Sequence, residues 1–199
     1  MPVLDTAPAE SAKTARFREK REALLAAAAA QFNEQGVRGA TLAGIAASVG
    51  LATNSVTYYY RKKEDLACAC FLRAIEGLEA IVAEAAQGAD PRERVQRLFA
   101  LKAERLARSR RGEVPTLMTF NDVRALPESH AGQVFEAYTR MFRQLRGLLQ
   151  GAASAAWSRA ELNARAHLVL SALHWLRHWI VDHEIEAYPR LAERSAQAL

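Results

Sequence analysis

The segment TLAGIAASVGLATNSVTYYYRKKEDL, residues 41–66, restricts the fold more than any other part of the chain. It is small and apolar at first and then places three tyrosines directly before the basic run RKK. Ala46 offers a small side chain where a second helix can cross the first. Gly50 tolerates positive φ in the turn, and Val56 can anchor the second helix. This spacing predicts a helix-turn-helix.

The second helix of such a motif lies in a major groove of DNA, with its N-terminal residues nearest the base edges. Lys63 would add a positive charge beside the DNA backbone, whereas Tyr60, one turn after Val56, is expected to pack against the first helix. Phosphate contacts set the register and base contacts set the specificity. The residues predicted to contact DNA are Thr41, Thr53, Asn54, Ser55, Thr57, Tyr58, Tyr59 and Lys63.

The composition favours an all-α protein of about nine helices. Half of the 199 residues are apolar, a quarter are charged, and glycine and proline are few. No period-2 run of β-branched residues is long enough to predict a strand. The formal charge of +5 is only a mild indication of a polyanionic partner.

The same composition predicts a cytoplasmic protein. No segment is long and apolar enough to span a membrane. Cys68 and Cys70 are two residues apart in a helical pattern, so they point to nearly opposite faces and can neither pair nor share a metal ion. A reducing compartment explains both cysteines most simply.

Caps and breakers divide the chain into three parts. We expect a mobile tail over residues 1–12, a three-helix domain over 13–66 with its motif in 41–60, and a larger helical bundle over 67–199. The first helix should stop near Gly36, and a short helix is expected from Thr116 to about Leu126. Further helix starts are predicted after the capping residues Thr41, Asp90 and Ser158.

The motif, with the alanine-rich helix ending in QFNEQG before it, resembles the DNA-binding domain of the TetR family of bacterial transcriptional regulators. The resemblance covers about residues 16–66 and departs from the family pattern at Ala52, Thr57, Tyr60 and Arg61. It implies an obligate homodimer and an all-helical ligand-binding and dimerisation domain over 67–199. It also implies repression at a palindromic operator in double-stranded DNA, with release when a small molecule binds.

The resemblance further implies that the last two long helices, about 159–184 and 189–199, form the dimer. The first of them carries Leu168, Ala172, Trp175 and Trp179 along one face, and we expect Leu168, Ala172 and Trp179 at the interface. An apolar or amphipathic ligand is expected in a cavity lined by Phe99, Met118, Phe120, Asn121, Tyr138, Phe142 and Trp175.

Three alternatives remain at the level of sequence. His167, His174 and His178 share a helix face, on which a metal-responsive regulator could be built, although polar side chains on a solvated face explain them more simply. A small-molecule-binding helical enzyme has no supporting motif. A DNA-binding protein without a ligand would have a filled second domain. No cofactor is expected.

Overall fold

The computed structural model describes residues 12–198, and their regular structure is entirely helical. The expected mobile tail therefore lies outside the described residues, apart from its last residue. The α-helices of the described part are α1 Ala12–Gly39, α2 Leu42–Ser48, α3 Thr53–Tyr59, α4 Lys63–Ala85, α5 Pro91–Arg110, α6 Glu128–Leu148, α7 Arg159–Trp179 and α8 Tyr188–Ser195. Short 3-10 helices cover Phe120–Ala125, Ala152–Ala156, Ile180–Asp182, Ile185–Ala187 and Ala196–Ala198. The predicted all-α fold class is confirmed.

The first three helices form the predicted helix-turn-helix unit. Thr41 caps α2, because its hydroxyl oxygen accepts a hydrogen bond from the Gly44 amide at 3.0 Å. Gly50 turns the chain into α3 with φ of 66°, a conformation in which glycine carries no steric penalty. Ala46 and Val56 are buried where α2 and α3 meet, as their small and apolar character predicts.

The continuous part of α1 ends at Gly36, as expected, and the chain bends there. Gly36 has φ of 72° and ψ of 166°, and the chain then resumes one short helical turn to Gly39. The bend is stabilised from outside the helix, since the amide of Val37 donates to Asp122 Oδ2 at 2.7 Å. The glycine therefore ends the regular part of α1 and redirects the chain into the short turn that follows.

The fourth helix connects the helix-turn-helix unit to the rest of the molecule. It packs against α1 near its start and against α5 and α6 along its length. At its N-terminus the Lys62 amide donates to Asp65 Oδ2 at 3.0 Å, and this pairing occupies a donor that the helix itself leaves free. One face of α4 is buried throughout, at Leu66, Cys70, Ala74, Leu78, Ile81 and Ala85.

The remaining helices complete a bundle around α4 and α5. The predicted caps are confirmed: Asp90 accepts from the Glu93 amide at 2.9 Å, and Ser158 accepts from the Glu161 amide at 3.1 Å. The short α8 packs against α5, and Tyr188 is fully buried with its hydroxyl accepting from Arg110 at 2.9 Å. Within residues 12–198 no helix has the length and apolarity needed to cross a membrane.

The short helix expected from Thr116 was placed too early, because the chain is not helical before Phe120. The side chain of Asn33 on α1 pairs with the backbone of this non-helical stretch. Its Nδ2 donates to the Leu117 carbonyl at 3.0 Å, and its Oδ1 accepts from the Thr119 amide at 2.8 Å. We call residues 115–124 the bridging segment.

Candidate nucleic-acid interface and ligand cavity

The exposed face of α3 carries the polar side chains that were predicted to meet DNA. Thr53, Asn54 and Thr57 are exposed, and Ser55 is partly exposed beside the buried anchor Val56. The Thr57 hydroxyl donates to the Asn54 carbonyl at 2.9 Å, so that hydroxyl already has a partner within the helix. The side-chain amide of Asn54 carries both a donor and an acceptor, and both can pair with a base edge in a groove.

Tyr58 and Tyr59 form an aromatic cluster with Phe17 of α1. The ring of Phe17 lies 4.9 Å from the ring of Tyr59 and 6.1 Å from that of Tyr58, measured between centroids. Tyr58 is nevertheless 77% exposed, so its ring and hydroxyl remain available to a partner. The sequence reasoning missed Phe17, which fixes the first turns of α1 beside α3.

The first turns of α1 add positive charge to this face. Residues 14–20 are all exposed, and Arg16 and Lys20 lie among them. Tyr60, in contrast, is buried with its ring beneath the Arg21 guanidinium at 5.7 Å, as expected for a residue packed against the first helix. Burial also raises the pKa of the Tyr60 hydroxyl, despite the opposing effect of Arg21.

Lys63 has a different environment from the one expected of a free charge beside DNA. Its ammonium group donates to the carbonyls of Arg38 and Ala40, at 3.0 and 2.9 Å. Carbonyl groups at the end of a helix lack intrahelical partners, and a cation there also complements the helix dipole. Lys63 therefore fastens the end of α1 to the start of α4.

A cavity of about 1130 Å³ lies in the second half of the chain. Its wall is built from α4, α5, α6, α7 and the bridging segment, and Asn33 of α1 also reaches it. Exposed Phe135 and Trp175 lie where the cavity meets solvent. Of the residues predicted to line a cavity, the structure places five in its wall: Met118, Phe120, Asn121, Tyr138 and Trp175.

Phe99 and Phe142 were wrongly predicted to line the cavity. Phe99 is buried in the core on the inner side of α5. Phe142 lies one turn beyond Tyr138, and its ring stacks on His167 with centroids 4.3 Å apart. Periodicity identifies the inner face of a helix, but it does not separate close-packed core from cavity wall.

The wall also contains basic residues that the sequence reasoning missed. Lys102 and Arg105 come from α5, Arg124 from the bridging segment and Arg177 from α7. Burial, followed by the charges of Arg105 and Arg177, lowers the pKa of Lys102 to about 8. No sequence signal distinguished these residues from the many other arginines and lysines of a basic helical chain.

Comparisons with known proteins agree with this geometry. Residues 24–70 match the family model described as bacterial regulatory proteins, tetR family. The matched segment contains the helix-turn-helix, so residues 24–70 resemble the DNA-binding domain of that family. Among curated proteins no sequence matches.

Solved structures share the fold over most of their length, and the first two of the three that follow are described as TetR-family transcriptional regulators. One from Bordetella parapertussis has a TM-score of 0.72 at 22% identity, over 89% of this chain and 92% of that chain. PfmR from Thermus thermophilus has a TM-score of 0.66 at 22% identity, over 89% and 91%. AibR in complex with isovaleryl coenzyme A and operator DNA has a TM-score of 0.69 at 16% identity, over 90% and 94%.

The residues expected at a dimer interface lie on the outer side of α7. Leu168 is 65% exposed, and Ala172 and Trp179 are partly exposed along the same stripe. The apolar side of α8 is already covered by α5, which leaves mainly charged and polar side chains on its outer face. The participation of these residues in a dimer stays a prediction.

The histidines of α7 have separate environments. His167 stacks on Phe142, His174 lies 5.7 Å from Phe120 between ring centroids, and His178 accepts from Arg177 Nε at 3.1 Å. Within residues 12–198 no three His, Cys, Asp or Glu side chains are grouped closely enough to hold a metal ion. The metal-responsive alternative thus gains no support from the described residues.

Proposed function

We propose that the chain is a sequence-specific repressor that binds a palindromic operator as a homodimer and is released when a small amphipathic molecule enters the cavity. The observation that carries this proposal is the direct hydrogen bonding between the cavity wall and α1. Residues 13–66 would serve as the DNA-binding domain, and residues 67–199 as the ligand-binding and dimerisation domain.

The DNA-binding part of the proposal rests on α3. Thr53, Asn54 and Ser55 would approach base edges from the N-terminus of that helix. Tyr58 and the exposed basic residues of α1 would contact phosphates on either side, because Phe17 holds the two helices together. In a dimer, the two recognition helices would read half-sites about 34 Å apart or a multiple of that distance.

The ligand-responsive part rests on the bridging segment. Three hydrogen bonds tie it to α1: two from Asn33 to the backbone of Leu117 and Thr119, and one from the Val37 amide to Asp122. Met118 and Phe120, in the same segment, line the cavity. A ligand that displaces these side chains would move the segment and, with it, the helix that orients α3.

The long helix α4 offers a second connection between the two parts. It begins beside the DNA-binding unit, where Asp65 Oδ1 lies 2.9 Å from His130 Nε2 of α6, and it ends among the cavity helices. A coupling free energy of about 1–3 kcal/mol would change DNA affinity roughly 5- to 150-fold. AibR, a protein of the same fold, binds both isovaleryl coenzyme A and operator DNA, which supports a ligand-responsive regulator here.

The test is selection of binding sites from random duplex DNA with the full chain near physiological salt. Recovery of a palindrome supports a sequence-specific dimer. Its absence, both with the protein alone and with cell extract added as a source of effectors, would refute the proposal.

The selected site then allows a test of the α3 assignment. Replacing Asn54 by Ala should relax base preference at one position of each half-site by roughly 1–3 kcal/mol. The matched control is Gln144→Ala, which removes an exposed amide from α6 and should leave the preference unchanged. Equal base preferences in the Asn54 variant and the unmodified protein would contradict the assignment.

A further inference from the structure

The cavity has an unbalanced positive charge. Lys102 and Arg105 are one turn apart on α5, Arg177 enters from α7, and Arg124 enters from the bridging segment. None of the described residues that line the cavity is an aspartate or a glutamate. Cationic groups brought together in a partly desolvated space repel one another unless an anion lies between them.

The basic residues that α5 and α7 contribute to the cavity, Lys102, Arg105 and Arg177, have few hydrogen-bond partners. Within the described part of the chain, Lys102 has neither a hydrogen bond nor an ion pair. Arg105 Nη2 donates to the Pro115 carbonyl at 3.2 Å, and Arg177 Nε donates to His178 Nε2. No carboxylate in residues 12–198 pairs with any of the three, so their charges are not neutralised within that part of the chain.

His174 supplies an independent sign that a polar ligand group belongs here. Its Nε2 atom is buried without a hydrogen-bond partner among the described residues. Burial, followed by the charges of Lys102 and Arg177, lowers the pKa of His174 to about 4. The imidazole is therefore neutral at pH 7, and in the Nε2–H tautomer it can donate a hydrogen bond to an oxygen atom.

The rest of the wall is suited to an apolar body. The rings of Phe120 and Tyr138 lie 5.8 Å apart between centroids, and Met118, Leu78 and Val134 extend the apolar surface. Phe120 also contacts His174, so the apolar surface begins directly beside the polar one. The volume of about 1130 Å³ slightly exceeds the range typical of small-molecule sites, about 300–1,000 Å³.

We infer that the effector is an amphipathic anion, whose carboxylate or phosphate group is bound by Lys102, Arg105 and Arg177 and whose apolar part lies against Phe120 and Tyr138. This inference rests on the proposed function, since it names the chemical class of ligand for the same cavity. An anion supplies the missing countercharge, and its oxygens accept from His174 and from the ammonium and guanidinium groups. A neutral or cationic molecule of the same shape supplies no countercharge.

Four probes with the same ten-carbon chain test the inference by isothermal titration with the full chain. They are decanoate, decyl phosphate, decan-1-ol and decyltrimethylammonium. At least one of the two anions should bind about tenfold or more tightly than both the neutral and the cationic probe. The stronger of the two anions identifies the head group as a carboxylate or a phosphate.

Charge-removing variants then locate the anion. Lys102→Met and Arg177→Met should each weaken binding of the preferred anion about tenfold while changing decan-1-ol binding less than twofold. The matched control is Arg143→Met, which removes an exposed arginine from α6, outside the cavity wall, and should leave the affinity for every probe unchanged. Thermal denaturation of each variant verifies that it is folded.

The inference is wrong if decan-1-ol or decyltrimethylammonium binds as tightly as the anions, or if neither anion binds. It is equally wrong if both cavity variants keep full affinity for the preferred anion. These results concern the ligand alone, because no DNA is present in the titration. Failure of the proposed function appears separately, as the absence of a selected operator.

Discussion

Lys102→Met should make the protein more stable at pH 7, although it removes a residue placed in the ligand cavity. In the folded chain the ammonium group is partly buried, has no countercharge among the described residues and lies near the positive charges of Arg105 and Arg177. Methionine has a similar length, no charge and a flexible side chain suited to an irregular wall. Replacing an uncompensated charge by an apolar side chain of similar volume is commonly stabilising.

The lowered pKa of Lys102 sets the size of the expected gain in stability. The pKa of Lys102 falls from an ordinary value of 10.5 to about 8, and this difference corresponds to roughly 3 kcal/mol of unfavourable free energy for the charged form. Solvent screening reduces that value, since the side chain is partly exposed. We expect the free energy of unfolding to rise by about 1–3 kcal/mol at pH 7.

The pH dependence gives the prediction a second, sharper form. Below pH 8 Lys102 is protonated in both the folded and the unfolded chain, so the full cost is present. As the pH rises from 8 towards 10.5 the folded chain loses the proton first and the cost disappears. The advantage of Lys102→Met over the unmodified protein should therefore be largest at pH 7 and smallest near pH 10.

Urea denaturation at fixed protein concentration measures this difference at both pH values. The Lys20→Met variant is the control and should differ from the unmodified protein by less than about 0.5 kcal/mol at either pH, because that lysine is exposed. Equal or lower stability of Lys102→Met at pH 7 would refute the reasoning. A gain that is the same at both pH values would show that packing, not charge, is responsible.

Three further changes probe the connection between the two parts of the chain. Asn33→Ala should lower the free energy of unfolding by about 1 kcal/mol. It should also reduce the ligand-induced change in operator affinity, measured by fluorescence anisotropy. An unchanged ligand response would contradict the coupling role. Lys63→Met should destabilise the fold by about 1–3 kcal/mol in thermal or urea unfolding, and unaltered stability would show that its two carbonyl contacts contribute little. Gly36→Ala should lower the free energy of unfolding by more than about 1 kcal/mol, because φ is 72° and the added Cβ would lie 2.8 Å from Asp122 Oδ2. A variant with unchanged stability and an intact ligand response would contradict this account.

Local features of the fold were predictable from the sequence. Thr41, Asp90 and Ser158 cap the helices they were expected to cap, because a capping side chain bonds to an amide only three residues ahead. The buried stripe of α4 follows directly from the 3.6-residue period. Gly50 adopts the positive φ that its place in the turn requires.

Features that depend on contacts between distant residues were not predictable. The bridging segment was expected to be helical from Thr116, but Asn33, more than eighty residues earlier, takes its backbone hydrogen bonds. The DNA contact of Lys63 stays a prediction, but its hydrogen bonds to the α1 carbonyls could not be read from the sequence. The sequence around Lys102 does not indicate that it lies in a cavity, since only the folded arrangement of α5 and α7 surrounds it with like charges.

The contact between Gly36 and Asp122 has a consequence for building chimeric biosensors. Such a chimera joins the recognition unit of one regulator to the sensing bundle of another, and a junction within the linking helix α4 would separate the two. In this chain such a junction would separate two surfaces that fit only each other: a backbone without Cβ on one side and a carboxylate 2.7 Å from the Val37 amide on the other. A functional chimera would therefore have to inherit residues 33–37 and 115–124 from the same parent, whichever parent supplies the rest.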